Sequence, residues 1–486
     1  MREDLLSKYD MTIGIESHVQ LATDSKLFSP ADNDAREKEP NTCVHPIDYG
    51  LPGMLPVLNR KAIDLAIKAG VAMNAKIARV SRFDRKHYFY PDLPNGYQVT
   101  QMYHPTILAG IVEAPLDDGG SVKVRIHHAH LEADAGKLTH YGDYTLADYN
   151  RTGTPLIEIV TEPDLHSAAE TKAFCQELHR LMVYAGVSRG DLYHGNQRFD
   201  VNISLAPKGA TELGKRAEIK NLNSFRSIER AIEYEFLRQA ELLESGERVV
   251  QETRGWDDAK QITTSQRSKE DAQDYRYMPD PDIPPIILTD EEIDTIQAEV
   301  PMLPPSYRER WAELGIDKSV VNTLLANQSD ARIITEIQEK AGNGSAKRVA
   351  HWYSSALAAQ TDEDGTPVES AAVYVSVDDL IELAEMTDKA ELSSTAAKEL
   401  FNELLTGAEN PRALAEKKNL LQVSDEGAIA GVVDKVLADP ASAGSLADIR
   451  AGKDKAIGYL VGQVMKESRG KANPALAQKL IRERIS

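Results

Sequence analysis

RIHHAHLEADAGK, residues 125–137, alternates in character with the period of two that a β-strand requires. One face carries His128, His130, Glu132 and Asp134, and the other Ala129, Leu131 and Ala133. The run breaks at Gly136-Lys137. Alone, such a strand is equally well read as one with its polar side turned to water. Recurrence elsewhere in the chain makes it informative. GIESH puts Glu16 and His18 on one face, and NQRFDVNIS puts Arg198, Asp200 and Asn202 on one face. RAEIKNLN puts Glu218 and Lys220 on one face, with Asn221 and Asn223 on the other. If these four strands share a sheet, carboxylates, a histidine and cations gather on one surface. Such a surface could hold a hydrated Mg²⁺, which prefers oxygen ligands, or phosphates against Lys and Arg.

The remainder of the first 293 residues mixes strand and helix signals. MTIGIESHVQL reads as a strand, as does Pro155–Val160 after the turn Arg151-Thr152-Gly153. Helical spacing marks 60–77, 166–187 with Ser167 as N-cap, and 224–247 with Ser224 as cap and Gly246 as stop. FDRKHYFYPDLPNGYQVTQ, 83–101, reads as an aromatic, proline-broken loop that either packs on the body or stacks on a base. PDPDIPPI, 279–286, is a rigid punctuation mark. Beyond it, 290–405 is almost wholly helical in pattern, with a polar gap at 360–370, and the last segment from about 406 is helical again. The fold class expected is therefore α+β: a mixed-sheet domain followed by helices.

Composition narrows the functional classes. The 486 residues carry 76 acids against 56 bases, a net charge of −20, which argues against broad coating of nucleic acid. Residues 449–486 run the other way, with nine Lys/Arg against three Asp/Glu, and suit a localised anionic partner. Cys43 and Cys175 cannot make a disulfide framework or a four-cysteine zinc site. The N-terminus lacks a signal-peptide core, and no run approaches the roughly 18 apolar residues of a spanning helix, so a cytoplasmic protein without membrane contact is expected. Neither G-x-x-x-x-G-K-[ST], H-E-x-x-H, G-x-S-x-G nor a Rossmann fingerprint is present, so phosphate handling needs a pocket of another kind.

GIESHVQL, the 83–101 loop, HLEADAGK, DYNRTGTPLIEIVTEPD, RAEIKNLNSFRSIERAIEYE, DYRYMPDPDIPP and IGYLVGQVMKESRGKANP, spread in order over residues 13–474, resemble the GatB family. These are the B subunits of glutamyl/aspartyl-tRNA amidotransferases. Family members often read GLEVH, HLEEDAGK and RCDAN where this chain has Ser17, Ala133, and Phe199 with Val201. All these positions fall on the face opposite the candidate ligands. Some members carry a four-cysteine zinc knob; with only Cys43 in that region, no zinc is expected here.

The resemblance implies a cradle-shaped, kinase-like domain over 1–293, a helical domain over 294–405 and a small YqeY-like, tRNA-binding tail domain over 406–486. It implies a glutamine-dependent ligase that phosphorylates the side-chain carboxylate of Glu-tRNA(Gln) or Asp-tRNA(Asn) with ATP and Mg²⁺. Ammonia from a partner amidase then displaces the phosphate, and a small third protein completes a heterotrimer. By motif match, Mg²⁺ falls to Glu16, His18, Glu132 and Glu218. ATP and carboxylate positioning fall to Arg198, Asp200, Asn202, Lys220 and Asn221, further nucleotide contacts to Lys137 and Arg151, and tRNA contacts in the tail to Lys466, Arg469 and Lys471. A stand-alone metal-dependent phosphohydrolase and a non-catalytic RNA-binding scaffold are the rival readings.

Overall fold

The computed structural model describes residues 3–268, 274–357, 375–407, 410–422, 426–450, 454–468 and 472–485. The chain divides into two compact units, Met1–Ser306 and Tyr307–Ser486.

The first unit is built on one eight-stranded mixed sheet. In chain order its strands are β1 (Tyr9–Gln20), β2 (Gly110–Pro115), β3 (Ser121–Ala133), β4 (Pro155–Thr161), β5 (Gln197–Pro207), β6 (Ala217–Leu222), β7 (Glu252–Asp257) and β8 (Ile262–Ser268). Across the sheet the order is β8-β7-β6-β5-β1-β4-β3-β2. Every pair is antiparallel except β6 and β7. The four strands singled out by alternation thus lie in one sheet, with β4 inserted between β1 and β3. In β1, Met11, Ile13, Ile15, Ser17 and Val19 are buried while Glu16 and His18 are half-buried on the opposite face. A one-residue slip would drive those two ionisable groups into the core, so the register is strongly specified.

The apolar face is covered by two helices, α2 (Ala168–Tyr184) and α3 (Phe225–Glu244), while α1 (Arg60–Ala72) joins the same core. Phe174, Leu178, Ile228, Ile232 and Phe236 pack with Ile13, Ile15, Val201 and Ile203 in one buried cluster. Ser167 and Ser224 cap α2 and α3 by accepting from the backbone N–H of Glu170 and Ser227 at 3.1 and 3.0 Å. Gly186 and Gly246 follow the helix ends in left-handed conformation. The departures from family sequence sit where expected: Ser17, Phe199 and Val201 are buried on the helix side, and Ala133 packs against the same core.

Three expectations are corrected. Helix α1 stops at Ala72, not residue 77, because Asn74 turns left-handed and the Met73 carbonyl instead accepts from Ile111 N–H at 3.0 Å. The 83–101 segment is no simple loop: Asp84–His87 pairs with Tyr97–Thr100 as a hairpin. The proline-rich segment is woven into the unit. Met278–Pro279 pairs with Asp84 and Arg85, Ile286–Ile287 pairs with Val80 and Ser81, and Arg85 binds Asp280 and Asp282, both at 2.8 Å.

The second unit is helical throughout its described residues. Its helices include Gln328–Leu357, kinked at Gly342, then Val377–Asp388, Ser394–Leu405, Glu426–Ala438, Ile457–Glu467 and Pro474–Ile485. Ile429, Val433, Leu460, Val464, Leu480 and Ile481 form a separate apolar cluster. The polar gap at 360–370 lies outside the described residues. No helix among the described residues is long and apolar enough to cross a membrane.

Candidate active site

Register across β5, β1, β4 and β3 decides which polar side chains meet. His18 stands opposite Arg198 on one side and Glu158 on the other, and Glu158 stands opposite His130. Glu16 stands opposite Asp200, and Asn202 opposite Glu218. Two clusters result, each with ligand atoms within 4.8 Å of one another: His18, Glu132 and Glu158, and Glu16, Asp200 and Glu218. Glu16 and His18 are two residues apart on one strand face, so the clusters are neighbours about 7 Å apart. The four residues assigned to Mg²⁺ by motif are therefore divided between two sites rather than closing one.

In the first cluster, His18 Nε2 lies 3.5 Å from Glu132 and 3.7 Å from Glu158. His130 Nε2 lies 3.3 Å from Glu158 and 3.9 Å from Glu132. Burial, then the charge of Glu158, pushes the Glu132 carboxyl up. Burial also works against the Glu158 carboxylate, but the His130 hydrogen bond and the charges of His130, His18 and Lys86 hold it well below the usual range. His128 stacks on His130 with ring centroids 5.3 Å apart, and burial followed by repulsion from His130 and His127 lowers it to about 4.

In the second cluster, Lys220 Nζ lies 2.6 Å from Asp200 and 2.7 Å from Glu218. Thr253 Oγ1 donates to Glu218 at 2.8 Å, and Asn202 Nδ2 to Glu16 at 3.0 Å. Burial opposes the charged form of both, yet the charges of Asp200 and then Glu218 raise Lys220, and the charge of Lys220 with the hydrogen bonds from Lys220 and Thr253 lowers Glu218. Burial and then repulsion from Glu158, Glu218 and Asp200 raise Glu16, with Lys220 only partly relieving it. That is the electrostatic condition a bound cation would remove.

The remaining candidate residues take other positions. Arg198 belongs to neither cluster; its Nη2 lies 3.6 Å from Asp134, where Arg151 also arrives at 3.3 Å. Asn221 departs from strict alternation. A bulge opposite Asp200 puts it in left-handed conformation and exposes it, while Ile219 and Leu222 both stay buried. Its Nδ2 would stand 3.1 Å from a Cβ on Gly255, a position that shares a face with Lys220. Lys466 is exposed on the helix Ile457–Glu467, whereas Arg469 and Lys471 lie outside the described residues.

Two cavities flank the clusters. The first, about 360 Å³, is lined by Gly14, Glu16, Asn202, Lys215 and Arg216 among others. The second, about 380 Å³, holds Lys137 and Arg151 at the Gln20 end of β1. Sequence reasoning missed Glu158, although a lone acid inside PLIEIVT was a signal. It also missed Gly209–Lys215, which reads G-x-x-x-x-G-K with Arg216 where a P-loop has Ser or Thr. The segment leads into β6 rather than a helix, so it is not that motif in three dimensions. Gly214 is nevertheless obligatory, since a Cβ there would stand 1.9 Å from the Leu205 carbonyl oxygen.

Residues 11–294 match the family model described as the GatB/GatE catalytic domain, and 332–485 the model described as the GatB domain. The B subunit of the aspartyl/glutamyl-tRNA(Asn/Gln) amidotransferase of Caldicellulosiruptor saccharolyticus is 43% identical, covering 98% of this chain and 99% of the relative. The protein of the same name from Trichodesmium erythraeum is 43% identical over 99% of this chain and 98% of its own length. That of Carboxydothermus hydrogenoformans is 40% identical over 99% and 100%.

Proposed function

The chain belongs to the GatB family of amidotransferase B subunits, and we propose that its first unit activates the side-chain carboxylate of Glu-tRNA(Gln) or Asp-tRNA(Asn). In this reading the carboxylate oxygen attacks the γ-phosphorus of ATP and ADP departs. Ammonia then adds to the acyl carbon, phosphate leaves, and Gln-tRNA(Gln) or Asn-tRNA(Asn) results. The ammonia comes from glutamine hydrolysed by a partner amidase, with a small third protein completing the heterotrimer.

The observation that carries the proposal is the double membership of Glu16. It belongs to a three-carboxylate cluster and also to the wall of a cavity bearing Lys215 and Arg216. Phosphoryl transfer needs positioning and charge neutralisation rather than a protein nucleophile, and that wall offers both. The donors suit Mg²⁺: Glu16, Asp200 and Glu218 present hard oxygens, while His18, Glu132 and Glu158 form a second, mixed set. A divalent ion bound there supplies charge neutralisation at the transferred phosphoryl group. Lys215 and Arg216 would meet the phosphates directly. Lys220 holds Asp200 and Glu218 together, and Asn202 and Thr253 orient Glu16 and Glu218.

The test is a reconstituted assay with both partner proteins, glutamine, ATP and each mischarged tRNA. Amide formed on the tRNA with stoichiometric ADP is expected. ATP-independent amidation, or phosphoester turnover by this chain alone, would count against it.

A further inference from the structure

Strand β3 changes parity halfway along. Val124 and Ile126 belong to the buried core, and so do Ala129 and Leu131, so the core positions are even before His127 and odd after His128. Register against β4 slips at the same place. Ile126 pairs with Thr161 and His128 with Val160, leaving His127 as the extra residue of a β-bulge. Strict alternation would send the imidazoles of His127 and His128 to opposite faces. The bulge instead sets them side by side, His127 exposed and His128 half-buried, with ring centroids 4.9 Å apart.

Their Nδ1 atoms stand 2.7 Å apart. Two ring nitrogens at that separation either share one proton or point their lone pairs at a common cation. Two metal–nitrogen bonds of about 2.05 Å meeting at a right angle span about 2.9 Å, so the pair already has nearly the bite of neighbouring ligands on one ion. The surroundings suit a cation. Burial, then repulsion from His130 and His127, lowers His128 to about 4, which leaves its ring a neutral ligand at neutral pH. His128 stacks on His130 with centroids 5.3 Å apart at 18°, and the buried Nδ1 of His130 has no hydrogen-bond partner. No other hydrogen bond or ion pair engages His127 or His128 among the described residues. Solvent reaches His127, so waters can complete a coordination sphere.

We propose that His127 and His128 chelate a borderline divalent ion, of the class of Co²⁺, Ni²⁺ and Zn²⁺, through their Nδ1 atoms, at a site separate from both carboxylate clusters. Imidazole nitrogen suits such ions, whereas Mg²⁺ prefers oxygen. The site needs no cysteine, unlike the four-cysteine knob that this chain cannot build. His128 pairs with Val160, and Val160 with Glu16, so two strand spacings, about 10 Å, separate the pair from Glu16. An ion there adds positive charge beside the carboxylates without entering either cluster. It binds whether or not the first unit transfers phosphate.

The experiment titrates Co²⁺ into the untagged full-length chain in the presence of millimolar Mg²⁺, which occupies oxygen sites, and follows the visible absorption of the bound ion. Wild type, His127→Ala, His128→Ala and His18→Ala are compared, with a thermal melt of each. Wild type should take up one equivalent. His127→Ala and His128→Ala should each bind at least about tenfold more weakly, since even the loss of an outer-shell partner costs that much. His18→Ala, which removes the imidazole of the carboxylate clusters, should bind as wild type does. His127 is exposed, so its variant should melt with wild type and keeps the test decisive even if His128→Ala is destabilised. Equal Co²⁺ binding by wild type and His127→Ala would mean that the two rings share only a proton. A loss confined to His18→Ala would put the ion in the carboxylate set. Either result would overturn the assignment.

Discussion

Lys26 offers the sharpest quantitative test of how the site is held. It is fully buried, its Nζ 3.2 Å from Asp48 Oδ2 and 3.5 Å from the Tyr149 carbonyl. Asp48 also accepts from His45 N–H at 2.9 Å, and its Oδ1 would stand 3.0 Å from a Cβ on Gly153. The pair therefore ties the 25–48 loops to the 149–153 turn that carries Arg151. Lys26→Met leaves the Asp48 carboxylate buried with little beyond one backbone donor. Removing one partner of a buried pair costs about 3–5 kcal/mol. In a unit of this size that is roughly 5–10 °C of its melting temperature. Replacing both partners by apolar groups removes the stranded charge, so Lys26→Met/Asp48→Leu should recover at least half of the loss. Thermal melts and urea titrations of wild type, both single variants and the double variant complete the cycle. Additive losses, with the double variant the least stable of the four, would refute the claim that the stranded charge is what destabilises the single variants.

Four further outcomes are expected. Glu132→Gln, Glu158→Gln and Glu218→Gln should each abolish ATP-dependent amidation while glutamine hydrolysis by the partner survives; wild-type amidation rates would sink the carboxylate assignment. Gly214→Ala must displace the 208–216 loop from the Leu205 carbonyl and should raise the KM for ATP severalfold with little effect on tRNA binding, which steady-state kinetics in each substrate separates. His128 is depressed from 6.5 to about 4, so the unfolded chain takes its proton first and stability falls as pH drops through that window. With the ring partly open to solvent, the loss is about 1–2 kcal/mol, and urea titrations at the two ends of the window should show a smaller drop for His128→Leu than for wild type. Deletion from residue 406 should raise the KM for tRNA while leaving kcat nearly intact, because binding lost equally from ground and transition states leaves kcat alone; equal affinities and salt slopes for the two forms would show the basic tail to be uninvolved.

The sequence by itself determined that β1, β3, β5 and β6 alternate, and which ionisable side chains share a face along each of them. Alternation is a local property, so Glu16 and His18, Asp200 and Asn202, and Glu218 and Lys220 could be paired along their own strands without knowledge of the sheet. The caps Ser167 and Ser224 were legible for the same reason, since a cap bonds within three residues of itself. Which carboxylates meet is a matter of register between separate strands, and the partners of β1 lie more than a hundred residues away in the chain. Only the sheet order, with β4 between β1 and β3, brings Glu158 to His18 and His130 and separates their cluster from that of Glu16. The bulge at Asn221 likewise depends on what lies across from Asp200, and local alternation places that residue wrongly. Lys26 is the extreme case. A lysine reads as a surface residue, and only the folding of Asp48 and the 149–153 turn around it supplies the charge and the carbonyl that make its burial tolerable.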